Sequence, residues 1–149
     1  MTATQTITVP PRLAAVVRQT VSMAQMPQAQ RHARSAIEAL VKSGAAVPAS
    51  PPLTIWRATE GGKVDYAPGI FVETSFDASG DVTILTLPAG RAAHFVLDGP
   101  YEELGAAWQH LLADCRRQGI ELSGLNWEIY APPPATSAHP RTELYSLLA

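Results

Sequence analysis

Two short runs near the C-terminus repeat one arrangement of chemistry-bearing residues: Glu128-Ile129-Tyr130 and Glu143-Leu144-Tyr145. Each sits in an apolar run, WEIY or TELYSLL, whose aromatic and branched residues read as a strand. Side chains alternate across a strand, so in each run the Glu and the Tyr share one face while Ile129 or Leu144 takes the other. A carboxylate beside aromatic rings offers two chemistries. Away from water it attracts a cation, to which ring faces add roughly 0.5 to 2 kcal/mol each. With a raised pKa or a well-placed water it is a general base, and the phenol becomes a hydrogen-bond donor to an electrophile's carbonyl.

Other chemistries find little support. His32, His94, His110 and His139 lack the HxxxH or CxxC spacing of metal sites, so no metal is expected. No GxSxG elbow, phosphate loop or dinucleotide fingerprint occurs, and no cofactor is expected. DASGD at 77–81 opens like a calcium loop, but the rest of that motif is missing and it reads as a hairpin turn. A formal net charge of -2 with scattered basic residues argues against a nucleic-acid surface. The N-terminus MTATQTITVPP lacks a signal-like apolar core, and no run approaches the roughly 18 to 20 apolar residues of a membrane span. A soluble, cytoplasmic protein is expected. Cys115 cannot form an internal disulfide and reads as a buried core thiol.

The elements that would position the two acids follow from periodicity. In PYEELGAAWQHLLADCRRQ, residues 100–118, Tyr101, Leu104, Trp108, Leu111, Leu112 and Cys115 form one apolar helical stripe. Pro100 suits the start of that helix, Arg116 and Arg117 its last turn, and Gly119 its stop. A second helix is expected over about 27–43, opening at Pro27, carrying Ala29, Ala33, Ile37, Leu40 and Val41 on one side and ending at Gly44. Strands are expected at TITV, LAAVVRQTV, LTIWRA, IFVETSF, DVTILTL, RAAHFVL, WEIY and TELYSLL, separated by EGGK, DASGD, PAG and the Pro-rich APPPATSAHP.

Cut near residue 80, the chain repeats. PPRLAAVV, the Pro27 helix, Gly44 and LTIWRA lie over PAGRAAHFV, the Pro100 helix, Gly119 and WEIYAP, each half reading strand, helix, strand, strand. The 149 residues are expected to form a single α+β domain with halves of about 1–78 and 80–149. Two such βαββ units would build a mostly antiparallel sheet with two main helices on one face and a concave ligand cleft on the other. The repeat pairs Leu53 with Trp127 and Trp56 with Tyr130. Alternation is then expected to put Leu53, Ile55, Trp127 and Ile129 in the helix-covered core, and Thr54, Trp56, Glu128 and Tyr130 on the cleft face.

Pro88-Ala89-Gly90-Arg91 before a strand, Gly99-Pro100-Tyr101 opening a helix, Trp127-Glu128-Ile129-Tyr130, and Thr142-Glu143 in the last strand together resemble the GyrI-like small-molecule-binding domain, also called the AraC-type effector-binding domain, a tandem of SHS2 (βαββ) units. The first half matches more loosely, through VPPRLAAVVRQTV and KVDYAPGIFV. The resemblance implies the drug-sensing fold of multidrug-responsive transcription activators, with lipophilic, often cationic ligands met by a buried Glu near the domain's end. By position Glu143 is the implied match. Standalone relatives often carry an acidic residue just after the Asp of the KVDYAPGIFV segment, where this chain has Tyr66 after Asp65. No DNA-binding helix pair precedes the domain, so no direct DNA binding is expected.

The expected ligand-contacting set is Glu143, Tyr145, Glu128, Tyr130, Trp56, Phe71 in the KVDYAPGIFV strand, and His94, which alternates with Phe95. The plainer alternatives are an exposed Glu143 paired with Arg141, and an aromatic face that packs on another subunit. Three functions fit. The leading one is capture of a lipophilic, possibly cationic small molecule. A second is hydrolysis of strained cyclopropane-containing genotoxic compounds, as some standalone GyrI-like proteins resemble, with Glu143 or Glu128 as general base. A third is a protein partner, either a regulator or gyrase, on which the family's namesake acts as an inhibitor.

Overall fold

The computed structural model describes residues 3–77, 80–132 and 139–149. Parts of the DASGD turn and of the APPPATSAHP loop lie outside the described residues. The chain is α+β, as its periodicity predicts. In chain order the strands are β1 (Gln5–Val9), β2 (Arg12–Val17), β3 (Gln19–Val21), β4 (Leu53–Ala58), β5 (Val64–Val72), β6 (Val82–Leu87), β7 (Gly90–Asp98), β8 (Leu122–Ala131) and β9 (Arg141–Leu148). The helices are α1 (Met26–Lys42), between β3 and β4, and α2 (Leu104–Arg117), between β7 and β8.

Contacts divide the chain into residues 11–88 and residues 1–10 with 89–149. Each unit contains the expected βαββ succession, β2-α1-β4-β5 and β7-α2-β8-β9, and within each unit the strand pairing is antiparallel. The division differs from a cut at residue 80 because the edge strands are exchanged. β1 precedes β2 in the chain but pairs with β7, and β6 precedes β7 but pairs with β2. The strand orders β1-β7-β9-β8 and β6-β2-β5-β4 are therefore equivalent.

In the unit of residues 11–88, α1 opens on Pro27, whose missing N–H costs nothing in a first turn, and stops before Gly44 at φ +82°. Its small buried residues Ala29 and Ala33 let the helix lie close to the sheet, and Ala33 and Ile37 pack with Ala15, Val17, Ile70, Val72 and Val82. β5 holds Pro68 in its interior, normally a poor strand position. Here β5 pairs with β2 through Gly69–Val72 and with β3 through Val64–Tyr66, and the break between those two partners falls opposite Ala67 and Pro68. Gly69 follows because a Cβ there would overlap the Ala15 carbonyl and crowd the Val16 Cα.

In the other unit, Pro100 is extended and leads into a 3-10 turn, Tyr101–Glu103, before α2 begins. That turn takes Tyr101 off the helical stripe and leaves it 53% exposed, so it is not the core residue its spacing predicts. Trp108, Leu111 and Cys115 are buried as expected, with burial pushing the Cys115 thiol pKa up. Asp114 on the same helix is buried, and its carboxylate accepts from the Thr4 hydroxyl at 2.6 Å and pairs with His110 and Arg117. The residue just before β1 is thus tied to α2.

Among the described residues no helix is long and apolar enough to cross a membrane. Gly69→Ala tests the close approach of β5 to β2. Since the colliding atoms are backbone, the change should cost at least about 3 kcal/mol of stability in denaturant unfolding, whereas Gly105→Ala, with open space around it, should be neutral or slightly stabilising.

Candidate functional site

The two E-x-Y motifs lie on neighbouring strands, and their pairing decides whether they meet. In the β8–β9 ladder Glu128 is opposite Leu144, Ile129 opposite Glu143, and Tyr130 opposite Thr142. Paired residues share a face, so Glu128 and Tyr130 stand on one side of the sheet while Glu143 and Tyr145 stand on the other. Phe95 contacts His110 of α2, and Leu144, its partner in β7–β9 pairing, is fully buried. The side carrying Glu128 is therefore the one α2 covers.

On that side Glu128 is only 8% exposed. Its Oε2 accepts the indole N–H of Trp108 at 2.6 Å, and its Oε1 accepts the Tyr130 hydroxyl at 2.7 Å. Tyr101 meets the Tyr130 ring edge-on, with centroids 6.1 Å apart. Burial raises the Glu128 pKa above the ordinary carboxylate range, because the charged form loses its hydration; the bonds from Tyr130 and Trp108 favour the charged form and offset part of that rise. The result is a carboxyl group held by two aromatic donors, without a cationic partner among them.

On the opposite side Trp127, Tyr145 and His94 form a ladder of rings. Trp127 and Tyr145 stack at 5.1 Å with planes 8° apart, and Tyr145 and His94 at 4.5 Å. Glu143 Oε1 accepts from the Tyr145 hydroxyl at 3.1 Å and lies 3.2 Å from His94 Nε2. The side chains of His94 and Glu143 are 16% and 31% exposed. Glu143 is thus neither an exposed carboxylate paired with Arg141 nor fully buried; Arg141 instead pairs with Asp98.

The unit of residues 11–88 has the same phase. Gln30 of α1 donates to Thr54 Oγ1 at 2.7 Å and to the Tyr66 hydroxyl at 2.8 Å, and Trp56 packs on the cluster of Val21, Ala29 and Tyr66. Thr54 and Trp56 consequently face α1. Phe71 lies on the other side, buried beneath the Arg12 guanidinium, which sits 4.2 Å from the ring centroid.

These positions correct one expectation. Thr54, Trp56, Glu128 and Tyr130 lie on the helix-covered faces, and the residues that alternate with them, Leu53, Ile55, Trp127 and Ile129, lie on the opposite ones. The repeat's pairing of Trp56 with Tyr130 survives, because both strands are inverted together. The cause is that both faces are buried at this level: Leu53, Ile55 and Trp127 are 4% exposed or less, as is Thr54. Hydrophobic alternation then fixes relative phase without choosing a side.

Sequence reasoning assigned Trp108 to the core without giving it a role at the acid. The signal was present, since a buried indole needs an acceptor for its N–H. Among the described residues no group of three His, Cys, Asp or Glu side chains is placed to hold a metal ion.

The fold consists of two βαββ units with exchanged edge strands, one of them holding a carboxyl group among aromatic donors. The chain belongs to the GyrI-like small molecule binding domain family, whose model matches residues 2–148. No curated protein sequence matches it. Among solved structures, the C-terminal domain of EcmrR is similar at 17% identity and a TM-score of 0.77, covering 100% of this chain and 98% of that one. SAV2435 bound to tetraphenylphosphonium is similar at 15% identity and a TM-score of 0.69, with 99% and 94% covered. A hydrolase encoded by lin2189 from Listeria innocua is similar at 12% identity and a TM-score of 0.64, with 98% and 91% covered. Against the EcmrR chain in its complex with DNA, this chain spans 57% of that chain's length.

The Glu128 geometry predicts a pH signature. A carboxyl whose pKa is raised on folding binds its proton in the folded state when the unfolded chain has already lost it, so stability falls as pH rises from the ordinary carboxylate range through the raised value. Denaturant unfolding from pH 4 to 8 should show that loss in the wild type and a smaller one in Glu128→Gln. Trp108→Phe, which removes one donor to the carboxylate, should move the Glu128 midpoint in carboxyl NMR further upward.

Proposed function

We propose that this GyrI-like domain captures lipophilic small molecules carrying a positive charge, and that Glu128 is the acid that meets the charge. The observation that carries this reading is the buried Glu128 carboxyl among Trp108, Tyr130 and Tyr101. A delocalised cation would give the carboxylate a countercharge and would lay its apolar surface on the rings. SAV2435, with its tetraphenylphosphonium, supports the ligand class. Glu143, His94, Tyr145, Trp56 and Phe71 remain in the proposal as secondary contacts, with Glu143 less effective because its charge is shared with His94 and Tyr145 and is partly solvated. The chain acts in this reading as a soluble cytoplasmic domain, by sequestering its ligand or presenting it to a partner.

Hydrolysis is the second reading, favoured by the raised Glu128 pKa and by the similarity to a Listeria innocua hydrolase. A carboxylate has more acceptor sites than the two used by Trp108 and Tyr130, so it can also take a proton from a water. Water would then add across a strained ring bond, its hydroxyl to one carbon and a proton to the other. A gyrase or regulator contact, the third reading, would rest on surface residues and survive loss of the acid.

In calorimetric titration with tetraphenylphosphonium, Glu128→Gln should weaken binding by about 1 to 3 kcal/mol, and Glu143→Gln by less. Unaltered affinity in Glu128→Gln, with the variant folded by thermal melt, would remove Glu128 from the role. Mass spectrometry of a cyclopropane-containing electrophile after incubation separates the readings: recovery unchanged supports capture, and gain of one water that Glu128→Gln abolishes supports hydrolysis.

A further inference from the structure

Thr142 sits on β9 directly opposite Tyr130, on the face that carries Glu128, and is fully buried. Its hydroxyl is a buried side-chain polar atom with no hydrogen-bond partner among the described residues. Neighbouring polar side chains on this face are satisfied: Ser146 donates to Asn126 at 2.6 Å, and Glu128 is held at both oxygens. An unpaired buried hydroxyl destabilises the fold, and valine would fill the same volume and suit a strand better. A hydroxyl at this position is therefore a burden to the fold alone. One residue pair, Ile129–Glu143, separates it from the Glu128–Leu144 pair, and diagonal neighbours on a sheet face lie roughly 7 to 8 Å apart, within the span of one aromatic ring.

We propose that Thr142 is a recognition residue of the Glu128 site, and that the ligands it selects carry a hydrogen-bonding group, such as a hydroxyl or carbonyl, about one ring's width from their positive charge. This rests on the reading of Glu128 as the ligand's acid and narrows its ligand class from apolar cations to amphiphilic ones. The Thr142 hydroxyl can donate to a carbonyl or exchange donor and acceptor roles with a hydroxyl, so either group relieves it. Tyr130, paired with Thr142 and next to Glu128 on the same face of β8, supplies the ring surface that the connecting part of the ligand covers.

The test uses a matched pair of cations, tetraphenylphosphonium and (4-hydroxyphenyl)triphenylphosphonium, which share charge and shape and differ by one hydroxyl. Wild type should bind the hydroxylated cation roughly fivefold more tightly. Thr142→Val should bind both alike and unfold at a higher temperature without ligand, while Thr142→Ser, which keeps a hydroxyl, should retain the preference. Equal binding of the two cations by wild type, or a preference that survives Thr142→Val, overturns the proposal and leaves the Glu128 reading intact if Glu128→Gln still weakens both. If neither cation binds wild type, or Glu128→Gln changes neither affinity, the underlying reading fails and the proposal falls with it.

Discussion

The unit of residues 1–10 and 89–149 is organised by the carboxyl group of Glu128, held between an indole N–H from α2 and a phenol from its own strand. A carboxylate at 8% exposure loses most of its hydration, at an effective cost of several kcal/mol, so its neighbours must supply hydrogen bonds in fixed directions. Trp108 can do so only from one turn of α2, which sets the helix's rotation over β8. Leu111 and Cys115, one and two turns further on, are then buried against the sheet, and Asp114 is aimed back toward Thr4 ahead of β1.

The other unit docks its helix on the sheet without a carboxyl group at the equivalent position. There Gln30 of α1 reaches the sheet and donates to Thr54 and Tyr66, where Thr54 is the repeat's counterpart of Glu128. Arg34 of the same helix donates to Gln30 and to the Leu53 and Gly69 carbonyls, so an amide, two hydroxyls and a guanidinium dock this helix, and docking does not require a carboxyl group. The acid in one half is an addition to a plan that works in its absence. Perturbed, buried acids of this kind cluster where a protein binds or reacts. That asymmetry between two units of the same strand order is why Glu128 is the residue we propose as the ligand's acid.

Much of the fold was legible in the chain. Both helices fall within a few residues of where spacing and Pro/Gly punctuation put them, every expected strand run overlaps a strand although IFVETSF holds only the end of β5, and the βαββ succession appears twice. The exchange of β1 and β6 was not legible, because nothing local in TITV or DVTILTL names a partner strand. The facing of the acids was not legible either. Glu128-Ile129-Tyr130 and Glu143-Leu144-Tyr145 would share a face if the pairing slipped by one residue, and their connection is too long to fix register as a two-residue hairpin would. Alternation inside each strand was read correctly; the relation between the strands was a tertiary fact.

That register separates two acids with different electrostatic worth. Near water a cation about 4 Å from a carboxylate gains on the order of 1 kcal/mol, and at the effective dielectric of a protein site about 4 kcal/mol. Glu143 is about a third exposed and shares one oxygen between His94 and Tyr145, which places it toward the first limit. Glu128, enclosed by Trp108, Tyr130 and Leu144, lies toward the second. The same enclosure that raises its pKa makes any charge brought to it interact strongly.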